Sequence, residues 1–277
     1  MGTIRALCCI ALWLLVSGAA HAGSKFTELE GNPHLRSASA LVLDAEGNII
    51  YGKDVDTVRP IASITKLMTA MVVLDSGLDL EEKITITKED RDLIRLTGSR
   101  LKYGASLSRR EMILLAIMSS ENRAATALGR NYPGGLERFV EHMNRKARGL
   151  GMTNSYFADP AGLKSENVST ARDLALMVDA AEEYPLIIEA STTTRMDVYP
   201  YRDRGQLTYG NTNRLLKNKK WDIELSKTGY INEAGRCLVM QANIEGEDVS
   251  IVLLNSFGKL TPFGDSNRLR NWMLAKS

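Results

Sequence analysis

Ser63 and Lys66 stand three residues apart in Pro60-Ile61-Ala62-Ser63-Ile64-Thr65-Lys66-Leu67-Met68-Thr69-Ala70. At helical spacing, residues i and i+3 share a face, so the lysine amine can lie beside the serine hydroxyl. A serine at a helix N-terminus also has free backbone N–H groups nearby and the positive end of the macrodipole. A hydroxyl to attack, an amine to take its proton and N–H groups to hold an oxyanion are the parts of acyl transfer through serine. Ser-x-x-Lys alone means little, because a chain of this length should contain about one by chance. Two further clusters give it weight: Ser120-Glu121-Asn122 and Lys227-Thr228-Gly229.

Rival chemistries are poorly supplied. Met1 to Arg5 is short and basic, Ala6 to Val16 is almost wholly apolar, and Ala20-His21-Ala22 offers a small-x-small cleavage site. Residues 1–22 therefore read as a secretory signal peptide, leaving 23–277 as the exported chain. Cys8 and Cys9 leave with the signal, so Cys237 remains alone in an apolar strand, a core residue without a disulfide partner. His34 and His142 are far apart, read as surface residues and have no carboxylate or cysteine cluster at ligand spacing. No metal or other cofactor is expected, and a Ser-His-Asp triad would have to recruit one of these two histidines. Lysine is left as the natural base. Without Arg5 the chain has 34 basic against 33 acidic residues, interleaved along its length, for a net charge of +1. Neither nucleic acid nor an acidic membrane surface is an expected partner.

The elements that must position these residues follow from periodicity. Ala40–Leu43 and Asn48–Tyr51 flank the turn-rich Asp44-Ala45-Glu46-Gly47 and read as a β-hairpin. After Pro60, Leu67, Met68, Met71, Val72 and Leu74 leave little polar face, which predicts a central buried helix ending at Gly77. Lys83–Ile86 is a short strand. Ser108-Arg109-Arg110-Glu111 is a capping box opening a helix that breaks at Ser119–Asn122. Leu136, Phe139, Val140, Met143 and Ala147 mark another helix closed by Gly149, and Thr170-x-x-Asp173 caps one more. Asp159-Pro160 between them reads as a turn. From about residue 190 the strand signal returns. Lys227 begins a strand-like segment, a second hairpin spans 236–254, and Leu269, Trp272 and Met273 mark a terminal helix. The simplest assembly pairs the first and last strands in one antiparallel sheet, with a helical lobe at about 64–185 inserted in it and a cleft between.

Three motifs in this order, roughly 60 and 105 residues apart, match the pattern of serine acyltransferases that recognise penicillin. The chain resembles low-molecular-mass penicillin-binding proteins of the D-alanyl-D-alanine peptidase family (peptidase S11), most closely the D-alanyl-D-alanine endopeptidases of the penicillin-binding protein 7 type. The likeness runs from about residue 39 to the C-terminus. It includes Leu115–Ala125, Tyr132-Pro133-Gly134-Gly135, Asn167–Leu174 and Asn211-Thr212-Asn213.

That resemblance implies an α/β (α+β) fold of the serine β-lactamase and penicillin-binding type: a five-stranded antiparallel sheet, flanking helices and a helical lobe. It implies Ser63 as nucleophile, a neutral Lys66 as base, and Ser120 passing the proton to the leaving amine. Asn122 would orient Lys66 and bind the substrate amide. Lys227 and Thr228 would face the anionic end of the substrate, Gly229 would leave room for it, and the N–H groups of Ser63 and Tyr230 would form the oxyanion hole. Burial and the charge of Lys227 would both lower the pKa of Lys66. The implied substrates are peptidoglycan stem peptides and their cross-bridges, with β-lactams as covalent inhibitors and no cofactor. The implied location is periplasmic. The chain ends soon after its terminal helix, so no stable membrane anchor is expected. A D-Ala-D-Ala carboxypeptidase, a β-lactamase and a non-hydrolytic penicillin-binding sensor or scaffold stay open as alternatives. Glu166 could activate a deacylating water, as in class A β-lactamases, but Gly162–Ser169 resembles the peptidase loop, where that position has no catalytic role.

Overall fold

A computed structural model describes residues 24–26 and 28–276; the expected signal peptide, 1–22, lies outside the described residues. The chain opens with the hairpin β1 (Ser39–Asp44) and β2 (Ile49–Lys53), then a short β3 (Arg59–Pro60). The helical block holds α1 (Thr65–Asp75), the small pair β4 (Lys83–Thr85) and β5 (Ser106–Ser108), α2 (Arg109–Met118), α3 (Asn122–Arg130) and α4 (Gly135–Gly149). Next come β6 (Val168–Ser169), which pairs with β3, then α5 (Ala171–Glu182) and α6 (Pro185–Thr192). The chain closes with the hairpin β7 (Arg195–Val198) and β8 (Leu207–Gly210), the long strands β9 (Asp222–Ile231), β10 (Gly235–Ile244) and β11 (Glu247–Ser256), and α7 (Thr261–Lys276).

The main sheet has five strands in the order β2-β1-β11-β10-β9. First and last strands meet as expected: β1 runs antiparallel to β11, Ser39 opposite Leu254 and Asp44 opposite Val249. Because side chains alternate, each central strand feeds two cores. On β10, Leu238, Met240, Ala242 and Ile244 face Leu269 and Met273 of α7, while Cys237 and Val239 join the core of the helical block. A sheet covered on both faces needs apolar residues at both phases, so these strands read as apolar runs. β9 is an edge, and that edge borders the site.

At the centre, α1 is buried at every residue from Thr65 to Val73. Fully burying each of its leucines and methionines is worth about 1.5–3 kcal/mol, which fixes the segment holding Ser63 and Lys66. The Ser108 box forms in both directions: Ser108 Oγ accepts from Glu111 N, and Ser108 N donates to Glu111. The Thr170 box is only half made. Thr170 accepts from Asp173 N, but the Asp173 carboxylate accepts from Asn154 N and Ser155 Oγ instead.

Two expectations are corrected. Lys227 lies in the middle of a strand that begins at Asp222, because Ile223, Leu225 and Lys227 alternate inward from there. Helix also persists to Thr192, since Pro185 opens α6 where its missing N–H costs nothing.

Candidate active site

Ser63 lies in a 3-10 turn, Ala62–Ile64, that runs directly into α1. Lys66 follows one turn later and is fully buried, with Nζ 2.7 Å from Ser63 Oγ, 2.8 Å from Asn122 Oδ1 and 2.6 Å from the Ala161 carbonyl. The break between α2 and α3 supplies the opposite wall. Ser120 sits there at φ 58°, a left-handed conformation uncommon outside glycine, which turns its side chain toward β9. Lys227 Nζ donates to Ser120 Oγ at 2.9 Å and to the Thr228 carbonyl at 2.9 Å. Ser63, Ser120, Asn122, Thr228, Gly229 and Tyr230 line one cleft of about 470 Å³, with the two lysines beneath. Thus all eight residues singled out in the sequence converge. Volume alone would have chosen elsewhere: a groove of about 760 Å³ beside α4 has no serine–lysine pair on its walls.

The two lysines differ electrically. Burial lowers Lys66 to about 7, partly opposed by the negative charges of Asp159, Glu121 and Asp92. Lys227 is pushed well below the ordinary lysine range by burial and then by Lys66, with no carboxylate to offset them. Repulsion between the two buried amines acts on both, and around Lys227 no carboxylate offsets it. An anion arriving beside Lys227 would raise its pKa again.

Several supporting residues had no sequence signal that identified them. Asp159, expected only to turn the chain, accepts from the N–H groups of Ala161, Gly162, Leu163 and Lys164 and from Asn167 Nδ2. That cradle aims the Ala161 carbonyl at Lys66. Asn122 Nδ2 donates to Thr97 Oγ1, whose hydroxyl donates to Asp92, so the group holding Lys66 is itself held. Thr228 Oγ1 donates to Thr212 Oγ1, and Thr212 N donates to the Met118 carbonyl, tying β9 to the end of α2. An Asp-Pro-x-Gly turn and an Asn-Thr-Asn run were visible, but the lysine that meets the Ala161 carbonyl lies 95 residues away and the Met118 carbonyl that meets Thr212 lies 94 residues away.

Glycine at 229 also has a reason within the fold itself. A Cβ there would lie 2.8 Å from the Ile61 carbonyl oxygen and 3.2 Å from Ser63 N. The bare strand lets β9 approach the turn that holds Ser63. Gly162 does the same from the other side, where a Cβ would fall 1.9 Å from the Ala62 carbonyl oxygen. Glu166 is exposed and accepts from its neighbour Ser165. Cys237 is buried, as expected, and its thiol is pushed up to about 11 by burial. His142, expected at the surface, is half-buried, and Tyr132 Oη lies 2.6 Å from its Nδ1. Among the described residues, no group of three or more His, Cys, Asp or Glu side chains could hold a metal ion, and no helix is long and apolar enough to cross a membrane.

Known proteins with this arrangement agree in kind. The family model described as D-alanyl-D-alanine carboxypeptidase (peptidase S11) matches residues 27–258. A D-alanyl-D-alanine endopeptidase of Pseudomonas aeruginosa is 47% identical over 273 residues, spanning 97% of this chain and 88% of that protein. The crystal structure of the Streptomyces K15 DD-transpeptidase is 28% identical, with a TM-score of 0.81 over 89% of this chain and 100% of that one. Penicillin-binding protein D2 of Listeria monocytogenes, in its cefotaxime-bound form, is 28% identical with a TM-score of 0.77, covering 88% of this chain and 100% of that one.

Proposed function

This chain belongs to the peptidase S11 family of D-alanyl-D-alanine carboxypeptidases and is a serine-type D-Ala-D-Ala peptidase; we propose that Ser63 is its nucleophile and peptidoglycan cross-bridges its substrate. The observation that carries this reading is the 2.7 Å contact between Ser63 Oγ and a buried lysine amine held near neutrality. Ser63 Oγ attacks the D-Ala carbonyl carbon while its proton passes to neutral Lys66. The oxyanion forms beside the N–H groups of Ser63 and Tyr230, favoured by the close approach of β9 at Gly229. The C–N bond then breaks, and the amine leaves with a proton delivered through Ser120. Water hydrolyses the acyl-serine ester, with Lys66 again the base. Asn122 orients Lys66 and binds the substrate amide. Lys227 and Thr228 receive the carboxylate beside the scissile bond, and that anion favours the charged form of Lys227. A β-lactam, whose carboxylate and strained amide present the same features, acylates Ser63.

Residues 1–22 serve as a cleaved export signal for residues 23–277, and the enzyme works in the periplasm on stem peptides without a cofactor. The endopeptidase assignment is favoured over the carboxypeptidase by the 47% identical relative. The test is intact mass of the mature chain with benzylpenicillin, followed over time beside Ser63→Ala, then digestion of cross-linked muropeptides. A long-lived adduct absent from the variant, and monomers released from dimers, are expected. Release of free D-Ala with dimers left intact would make the enzyme a carboxypeptidase, and rapid loss of the adduct a β-lactamase. No adduct at all would overturn the acyl-serine reading.

A further inference from the structure

Beyond Thr228 the catalytic cleft continues into a wall that the chemistry at Ser63 does not use. Thr228 and Tyr230 share one face of β9, at the period of two of a strand, and Arg236 stands opposite Tyr230 on β10. The Arg236 guanidinium stacks on the Tyr230 ring, 3.6 Å from its centroid, which holds the cation in place while leaving its edge free. Arg214 and Lys259 line the same cleft and are exposed. None of the three makes an ion pair among the described residues, and the cleft has no acidic residue on its walls. Nearby carboxylates are engaged elsewhere: Glu233 pairs with Arg95 at 2.8 Å, and Asp265 with Arg268 at 2.6 Å. Three unpaired cations on one wall are a cost to the folded state through mutual repulsion, and an anionic ligand relieves it.

We propose that Arg214, Arg236 and Lys259 form a second anion subsite, which takes a carboxylate on the departing peptide strand beyond the one received at Lys227 and Thr228. The inference rests on the peptidase reading above and sharpens it. A departing D-Ala has a single carboxylate, already used beside the scissile bond. A departing stem peptide, joined through a side-chain amine, still ends in a carboxylate of its own. The cationic wall lies past Thr228 on the face turned away from buried Lys227, where the rest of such a strand would run. It therefore selects cross-linked over free stems, and makes the enzyme an endopeptidase by recognition of charge.

The test compares kcat/KM for a cross-linked stem dimer with that for an uncross-linked stem ending in D-Ala-D-Ala. It uses the full mature enzyme and the double variant Arg214→Gln/Lys259→Gln, with Arg236→Gln separately. Each exposed charge lost should lower the dimer-to-monomer ratio by up to about fivefold, and the double variant by about tenfold, mainly through KM for the dimer. The charge-preserving pair Arg214→Lys/Lys259→Arg should restore the ratio, and added salt should lower it in the unsubstituted enzyme. Adduct formation with benzylpenicillin in each variant reports a folded site. Both substrates cleaved with a ratio unchanged by the double variant would overturn the subsite alone. Neither substrate cleaved by the unsubstituted enzyme would overturn the peptidase reading and the subsite with it.

Discussion

Lys66 and Lys227 are the same residue type, both fully buried, yet they sit in opposite electrostatic surroundings. Around Lys66 the loop carrying Asp159, the helix-break residue Glu121 and the turn at Asp92 supply negative charge that partly offsets burial, leaving the amine at about 7. Around Lys227 there is only burial and the other lysine. One amine is poised to exchange a proton at working pH. The other is pushed down by burial and by its neighbour, with no carboxylate to offset them. Burial alone would have made the two alike; the difference lies in which carboxylates the fold brings near each.

The largest effect should come from abolishing the difference at its catalytic end. Lys66→Arg places a permanently charged group where a base is needed, and acylation by benzylpenicillin should fall by about 10³-fold or more, measured by stopped-flow or intact mass. A variant that still acylates at a tenth of the original rate would remove Lys66 from the role of base. Next, Lys227→Gln should weaken acylation by anionic β-lactams by about 10²-fold, the scale of a lost charge-assisted contact, and largely through binding.

A smaller effect tests the value of 7 directly. The base is active only when neutral, so acylation should be near its plateau above pH 7 and fall about tenfold per unit below it. Removing a neighbouring negative charge must lower the Lys66 pKa further. Asp159→Asn should accordingly move this acid limb to lower pH, and it should cost about 1–3 kcal/mol of stability because several buried N–H groups lose a carboxylate acceptor. An acid limb that moves up, or not at all, would mean that Asp159 acts only as a scaffold. The smallest effect is at Cys237: its raised thiol pKa and burial should leave it unlabelled by iodoacetamide in the native enzyme at pH 8.

Much of this arrangement was legible in residues close together in the chain. The buried helix after Pro60, the Ser108 capping box and both main hairpins announce themselves by period, caps and turns, because each depends on neighbours within a few positions. What escaped depends on distant partners. Asp159 looked like a turn residue because Asp-Pro is a turn signal, and nothing local says that the loop it folds will present a carbonyl to Lys66. Gly229 invited an explanation from substrate, whereas the atoms that exclude a side chain there belong to Ile61 and Ser63. Thr97 carries no motif, and nothing local says that Thr212 of the Asn-Thr-Asn run will meet Thr228, yet each holds a motif residue in place.

By itself the sequence determined the parts: a serine and a lysine one helical turn apart, a serine and an asparagine at a helix break, a lysine and a threonine on a strand. Those follow from side-chain chemistry and short-range backbone geometry, which tertiary packing rarely overrides when pattern, cap and turn agree. The tertiary structure alone decided which carboxylates stand near each lysine. A pKa is set by solvent excluded and by charges within a few ångströms, and the carboxylates that distinguish Lys66 from Lys227 come from three separate segments, about 26 to 93 residues along the chain. Only folding brings those charges to one amine and withholds them from the other.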